Sequence, residues 1–252
     1  MCLIVVAHRV SCQWPLVVVA NRDEFHARPA AALDIWADDE GIAAGRDQLA
    51  GGTWLAAMPS GDFAALTNAR VPGARRTWPQ SRGHLVIDTL MHGAAGKINN
   101  EQFAPFSLLL LRGSTLIHQS NWFPSVGAIA PGIHALSNGA MNAGWPKAVA
   151  AIEGLRTLLA REQVSDSALL EMMRNQPVDP DVPLPDTGVG AELEQRLAPV
   201  FLSDPIYGTR CTTVLMRRED GMVTMVERRY TNQSEIDGDT RLLSDGRRWS
   251  NA

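Results

Sequence analysis

The apolar positions of the chain fall into two kinds of run. LIVVAH (Leu3 to His8) and LVVVA (Leu16 to Ala20) are apolar at nearly every position and rich in β-branched residues, the signature of strands covered on both faces. VSCQWP between them supplies a turn. TWLAAM and DFAALTN flank Pro59-Ser60-Gly61, FSLLLLR and TLIHQSN flank Gly113-Ser114, and CTTVLMRR and MVTMVERRY flank Asp220-Gly221. Each pair predicts an antiparallel hairpin.

The second kind of run has helical spacing. In HLVIDTLMHGAA, Val86, Leu90 and Ala94 recur every four residues; in KAVAAIEGLRTLLA, Val149, Ile152, Leu155 and Leu159 form one face. Ser165 is placed to cap a third helix through DSALLEMMRNQ. DPDVPLPDTGVG (Asp179 to Gly190) is rich in Pro and Gly and reads as a long loop, which in a compact domain is often functional. Antiparallel pairs with helices grouped between them predict an α+β fold rather than a parallel βαβ sheet.

Length and composition narrow the class. A chain of 252 residues with 45% hydrophobic and 20% charged residues fits one large globular domain, expected to span residues 1–252. The 23 basic and 27 acidic residues are spread along it, so no basic stripe offers itself to nucleic acid. An odd set of three cysteines, Cys2, Cys12 and Cys211, points to a reducing compartment without disulfides. The first apolar run has no basic start and is broken by His8-Arg9, so it reads as mature sequence rather than a secretory signal. No stretch reaches the ~18 apolar residues a spanning helix needs. A soluble, cytoplasmic protein with no membrane span is the expectation.

Several chemistries find no motif. There is no GxxxxGK[ST], and Gly188-Val189-Gly190 lacks the third glycine of a dinucleotide loop. The six histidines show no HExxH spacing and the cysteines no CxxC, so no metal site and no required cofactor are expected. Three polar clusters remain: Asn21-Arg22-Asp23-Glu24 after LVVVA, Leu66-Thr67-Asn68-Ala69-Arg70, and Tyr207-Gly208-Thr209-Arg210-Cys211. The first reads either as a turn in which Asp23 bonds its own backbone or as the place where a cation, a carboxylate and an amide leave the sheet together.

Cys2 gives these clusters a common purpose. If the initiator is removed, the mature chain starts with a thiol and a free α-amine on one residue. An α-amine, with a reference pKa of about 7.7–8.0, can take the nucleophile's proton near neutral pH. Asparagine amides can donate to an oxyanion, and arginine near the thiol favours the thiolate.

The blocks MCLIVVAHRV, VVANRDEFHARP, AGRDQLAGGTWLA, FAALTNAR, HALSNG followed by WPK, and YGTRCTTVL resemble the NRDE family, the transport and Golgi organisation proteins. They run from residue 1 to about 230 in nearly the family's order. The resemblance implies an N-terminal nucleophile hydrolase-like fold, a four-layer αββα sandwich of two antiparallel sheets flanked by helices. It also implies roles: Cys2 as nucleophile, Asp23 as the group binding the α-amine, Asn68 and Asn138 as oxyanion donors, and Arg210 near the thiol. Arg22 and Asp23 are adjacent, so in a strand they would face opposite sides.

Two functions follow from the resemblance. One is an N-terminal-cysteine amidohydrolase acting on a non-peptide carbon–nitrogen bond of a small-molecule amide. The other is a non-catalytic binding or transfer protein for haem or acyl-CoA, as family members have been linked with haem movement and lipid metabolism. For haem as a transported ligand, His8, Cys2 and Cys12 are candidate axial ligands. For acyl-CoA, the guanidinium groups of Arg22, Arg46 and Arg70 suit phosphates. The sequence carries no sign of oligomeric state.

Overall fold

The computed structural model describes residues 3–37, 41–71, 77–93, 98 and 100–252. Two seven-stranded antiparallel sheets carry the fold. The first runs in the order β10 (Gly132–Leu136), β1 (Leu3–His8), β2 (Leu16–Phe25), β11 (Tyr207–Arg217), β12 (Val223–Tyr230), β13 (Ile236–Ser244) and β14 (Trp249–Asn251). The second is β3 (Ala30–Ile35), β4 (Ala43–Asp47), β5 (Leu55–Ala57), β6 (Phe63–Asn68), β7 (Phe106–Arg112), β8 (Thr115–Ser120) and β9 (Gly127–Ile129). Strands from the beginning and the end of the sequence thus share one sheet, with β2 paired to β1 on one side and to β11 on the other.

The unbroken apolar runs feed two cores at once. In β1 and β2, Ile4, Val6, Leu16 and Val18 face the second sheet, where they pack with Leu55, Phe63 and Leu109. Leu3, Val5, Ala7, Val17 and Val19 face the opposite way, against α2 (Pro146–Ala160) and α3 (Asp166–Asn175). The outer face of the second sheet, through Leu66, Leu108 and Leu110, takes Leu85, Val86 and Leu90 of α1 (Arg82–His92). At ~1.5–3 kcal/mol for each fully buried large apolar side chain, both faces of these strands contribute to stability. The layers are helix, sheet, sheet, helix, as the resemblance implies.

Local signals account for the helix ends. Ser81 caps α1 by accepting from the Gly83 N–H, and Gly93 at φ 81° closes it. Ser165 caps α3 through the Ala168 N–H as expected. α2 differs from its predicted face. Its most buried residues are Lys147, Ala148, Ala151, Gly154 and Leu155, while Val149, Ile152 and Leu159 are only partly covered. Small residues let the helix lie close on the sheet, and the larger ones spread along its flanks. Asp179 to Gly190 has neither helix nor strand and leads into a short helix, α4 (Ala191–Arg196). Ala94, counted in the predicted face of α1, lies outside the described residues. Among the described residues no helix is long and apolar enough to cross a membrane.

Candidate active site

NRDE is not a turn: all four residues lie within β2, and they alternate between layers. Asn21 faces the helices, where Nδ2 donates to the carbonyls of Val200 (2.8 Å) and Met173 (3.3 Å) and Oδ1 accepts from the Thr212 hydroxyl (2.7 Å). Asp23 shares that face and is buried. Its Oδ1 accepts from the Thr209 hydroxyl at 2.7 Å, and the Lys147 ammonium, also buried, stands 3.9 Å from Oδ2. Arg22 turns into the gap between the sheets, its guanidinium 4.4 Å from the centre of the Trp54 ring and its Nη2 3.3 Å from Asp47 Oδ2. The adjacent arginine and aspartate therefore serve opposite faces, as a period of two requires.

Asn68 ends β6 in the second sheet, and Asn138 follows β10 in the first. The two meet: Asn138 Nδ2 donates to the Asn68 carbonyl at 2.8 Å, which ties the sheets together at this end. A carboxamide has two donor hydrogens, so Asn138 keeps one. Arg70 braces the pair. Its backbone N–H donates to the Asn138 carbonyl (2.8 Å), its Nη2 to Asn138 Oδ1 (3.5 Å), and its Nη1 pairs with buried Glu194 of α4 at 2.5 Å. Glu194 in turn accepts from the Thr187 N–H (2.9 Å) and hydroxyl, which pins the Pro-rich loop.

A cavity of about 700 Å³ opens beside these groups. Phe25, Leu193, Leu197, Phe201, Leu202 and Ile206 give it an apolar wall, most of it from α4 and the segment after it. Asn68, Asn138, Lys147 and Tyr207 form its polar end. The Tyr207 hydroxyl donates to the Asp23 carbonyl at 3.3 Å, so the cavity backs directly onto the acidic residue. On the other side of Asn68 lies a recess of about 130 Å³, lined by Arg22, Glu24, Arg28, Asp47, Ser81 and Arg82 among others. Asp47 sits here with its carboxyl below the usual carboxylate range: burial would raise it, but the hydrogen bonds from Arg28 and the Ala50 N–H outweigh that.

Arg210 sits at an irregularity of β11 between Thr209 and Cys211. Its Nη1 donates to the carbonyls of Phe25 and Arg28, both at 2.9 Å, and so braces the chain as it leaves β2. Burial and the nearby Arg22 charge lower its pKa from a very high starting value. Cys211 is buried between the sheets with Glu227; burial first, then the Glu227 charge, raises its thiol pKa well above normal.

Other candidates fall elsewhere. His8 ends β1 five residues from Leu3, about 17 Å away at ~3.3 Å per residue. Burial, with Arg9, His134 and Arg217 adding repulsion, lowers its pKa. Cys12 is exposed in the loop after it. Arg46 stacks on Trp36 at 3.7 Å, on the α1 side of the second sheet. Cys2 lies outside the described residues; Leu3, to which it is bonded, pairs with Asn21, the neighbour of Arg22.

Lys147, Tyr207 and Thr209 belong to the site but had no role assigned from sequence. Lys147 stands in the WPK block and Tyr207 and Thr209 in YGTRC, so position within those blocks was the available signal. Among the described residues no group of three or more His, Cys, Asp or Glu side chains is placed to hold a metal ion.

Known proteins resemble this chain in fold and in overall sequence. The C. elegans ortholog of N-acylethanolamine-hydrolyzing acid amidase superposes with a TM-score of 0.50 at 14% identity, covering 85% of this chain and 92% of that one. That likeness concerns the fold, the N-terminal nucleophile hydrolase sandwich. The human Transport and Golgi organization protein 2 homolog is 29% identical over 255 residues, 90% of this chain and 90% of its own. The bovine homolog is 29% identical over 264 residues, 93% of this chain and 89% of its own. A model of the family described as Transport and Golgi organisation 2 matches residues 1–232, and the chain belongs to that family.

Proposed function

We propose that this protein is an N-terminal-cysteine amidohydrolase that cleaves a non-peptide carbon–nitrogen amide bond in a small molecule with a long apolar acyl arm. The observation that supports it is the meeting of Asn68, Asn138 and Lys147 at the polar end of an apolar cavity that backs onto Asp23. In this reading the Cys2 thiolate attacks the amide carbonyl while amide hydrogens of Asn68 and Asn138 stabilise the oxyanion. The carbon–nitrogen bond breaks, the amine leaves with a proton from the α-ammonium, and an acyl thioester remains. Water, losing a proton to the α-amine, then releases the carboxylic acid and frees the thiol. Asp23 holds the α-amine.

The cavity gives equal support to a carrier that holds an acyl group without cleaving it. Its apolar wall of Phe25, Leu193, Leu197, Phe201, Leu202 and Ile206 suits an acyl chain. Intact-mass measurement shows whether the mature chain starts at Cys2, and incubation with N-lauroylethanolamine shows whether an acyl adduct or free lauric acid forms. The hydrolase reading expects product formation that is lost in Cys2→Ala and weakened in Asn68→Ala by the ~3 kcal/mol of a missing oxyanion donor. Retained Met1, with undiminished acyl binding and no product in Cys2→Ala and wild type alike, leaves the carrier.

A further inference from the structure

The recess on the far side of Asn68 is small, polar and positive. Three guanidinium groups, Arg22, Arg28 and Arg82, face two carboxylates, Glu24 and Asp47. Arg28 takes Asp47 with two hydrogen bonds, from Nε at 2.6 Å and Nη2 at 3.2 Å, so that carboxylate is already neutralised. Glu24 Oε1 accepts from the Phe25 N–H at 2.8 Å. Arg22 is 3% exposed, and its Nη1 is buried without a hydrogen-bond partner among the described residues. Its Nη2 already reaches Asp47, a wall of the recess. A buried, half-used guanidinium is costly unless something completes its hydrogen bonding.

A second feature has the same sign. Ser81, the N-cap of α1, and Arg82 and Gly83, its first two residues, line the recess. The start of a helix is the positive end of its dipole, a setting that favours an anion, although the Gly83 N–H itself is taken by the Ser81 hydroxyl. Size adds a limit: at about 130 Å³ the recess is several times smaller than the cavity of about 700 Å³ on the other side of Asn68, so it suits a small head group rather than an acyl arm.

We propose that this recess receives the carboxylate of the amine half of the substrate, so that the protein acts on N-acyl derivatives of a small amino acid, glycine-sized in its side chain. The acyl arm lies in the large cavity and the carboxymethyl head in the recess, with the amide bond at Asn68 between them. This rests on the amidohydrolase reading. The balanced reaction takes an N-acylglycine anion and water to a fatty acid anion and glycine zwitterion.

The test uses the purified protein with N-lauroylglycine, its methyl ester, and N-lauroylethanolamine, following lauric acid release and, separately, binding. The expected result is a preference for N-lauroylglycine of ~10-fold or more in kcat/KM over both neutral compounds, collapsing in Arg22→Gln. The ester carries the charge test in the wild type, so it stands even if the variant fails to fold. Equal turnover of all three compounds overturns the recess and leaves the hydrolase. No turnover of any, with N-lauroylglycine still bound ~10-fold tighter than its ester, sinks hydrolysis and keeps the recess. No turnover and no selective binding removes both.

Discussion

The thiols of Cys12 and Cys211 differ by environment rather than by type. Cys211 is buried beside Glu227, whose own carboxyl is pushed up by burial as well, and two groups that both resist ionisation make a poorly reactive site. Cys12 is exposed in a loop. A thiol reagent at pH 8 should modify Cys12 within minutes and Cys211 only after denaturant is added, read by peptide mapping of a time course. Labelling of Cys211 at the rate of Cys12 would contradict the enclosed geometry. Under the hydrolase reading Cys2 should react fastest of all, because its amine sits beside its thiol. Residue-scale legibility was uneven for a related reason. Asp23, Asn68 and Asn138 could be picked out as polar residues inside recognisable blocks. Lys147 could not, because a lysine opening an amphipathic helix reads as surface until the sheet beneath it is known to present Asp23.

Among the elements, hairpins with tight turns and unbroken β-branched strands were legible, since each carries its own signal. β3 and β4 were not. AAALDI and AAGRD are alanine-rich and have little strand preference of their own; pairing with each other and with β5 makes them strands. NRDE was ambiguous because four polar residues suggest a turn, whereas here partners wait on both faces of the sheet. The join between β4 and α1 shows how one glycine can position an element. A Cβ on Gly52 would stand 2.4 Å from the Gly83 carbonyl carbon, and the Thr53 N–H already donates to that carbonyl at 3.2 Å. Gly52→Ala should force the start of α1 away and cost about 1–3 kcal/mol in urea unfolding. Gly144→Ala, where a Cβ would meet nothing within 4 Å, should change stability by less than about 0.5 kcal/mol. Equal effects would mean that the close backbone approach does not matter.

Across the whole molecule, the sandwich buries groups that answer to pH. His118 of β8 is fully enclosed; burial lowers its pKa to about 4, and its Nδ1 accepts from the Val126 N–H at 3.2 Å. The unfolded chain binds this proton near pH 6.5 and the folded chain only near pH 4. Stability is therefore complete above about pH 6.5 and declines as the pH falls towards 4, by about 3 kcal/mol in all. Urea unfolding at several pH values should show that decline, and His118→Gln should flatten it by the same amount. Parallel profiles for the two proteins would refute the assignment. The layered architecture was legible only through family resemblance, since apolar periodicity gives antiparallel pairs but not how two sheets stack. That stacking gives NRDE its particular vulnerability. Asn21 and Asp23 address the helices while Arg22 and Glu24 address the space around the second sheet. Replacing one of them removes one group from one face. Adding a single codon within β2 ahead of Asn21 would invert all four at once, sending the guanidinium toward the helices and the carboxylate of Asp23 between the sheets. Changes in gene length should therefore be far more damaging in this strand than in the 9–15 turn before it, where an extra residue has no face to exchange.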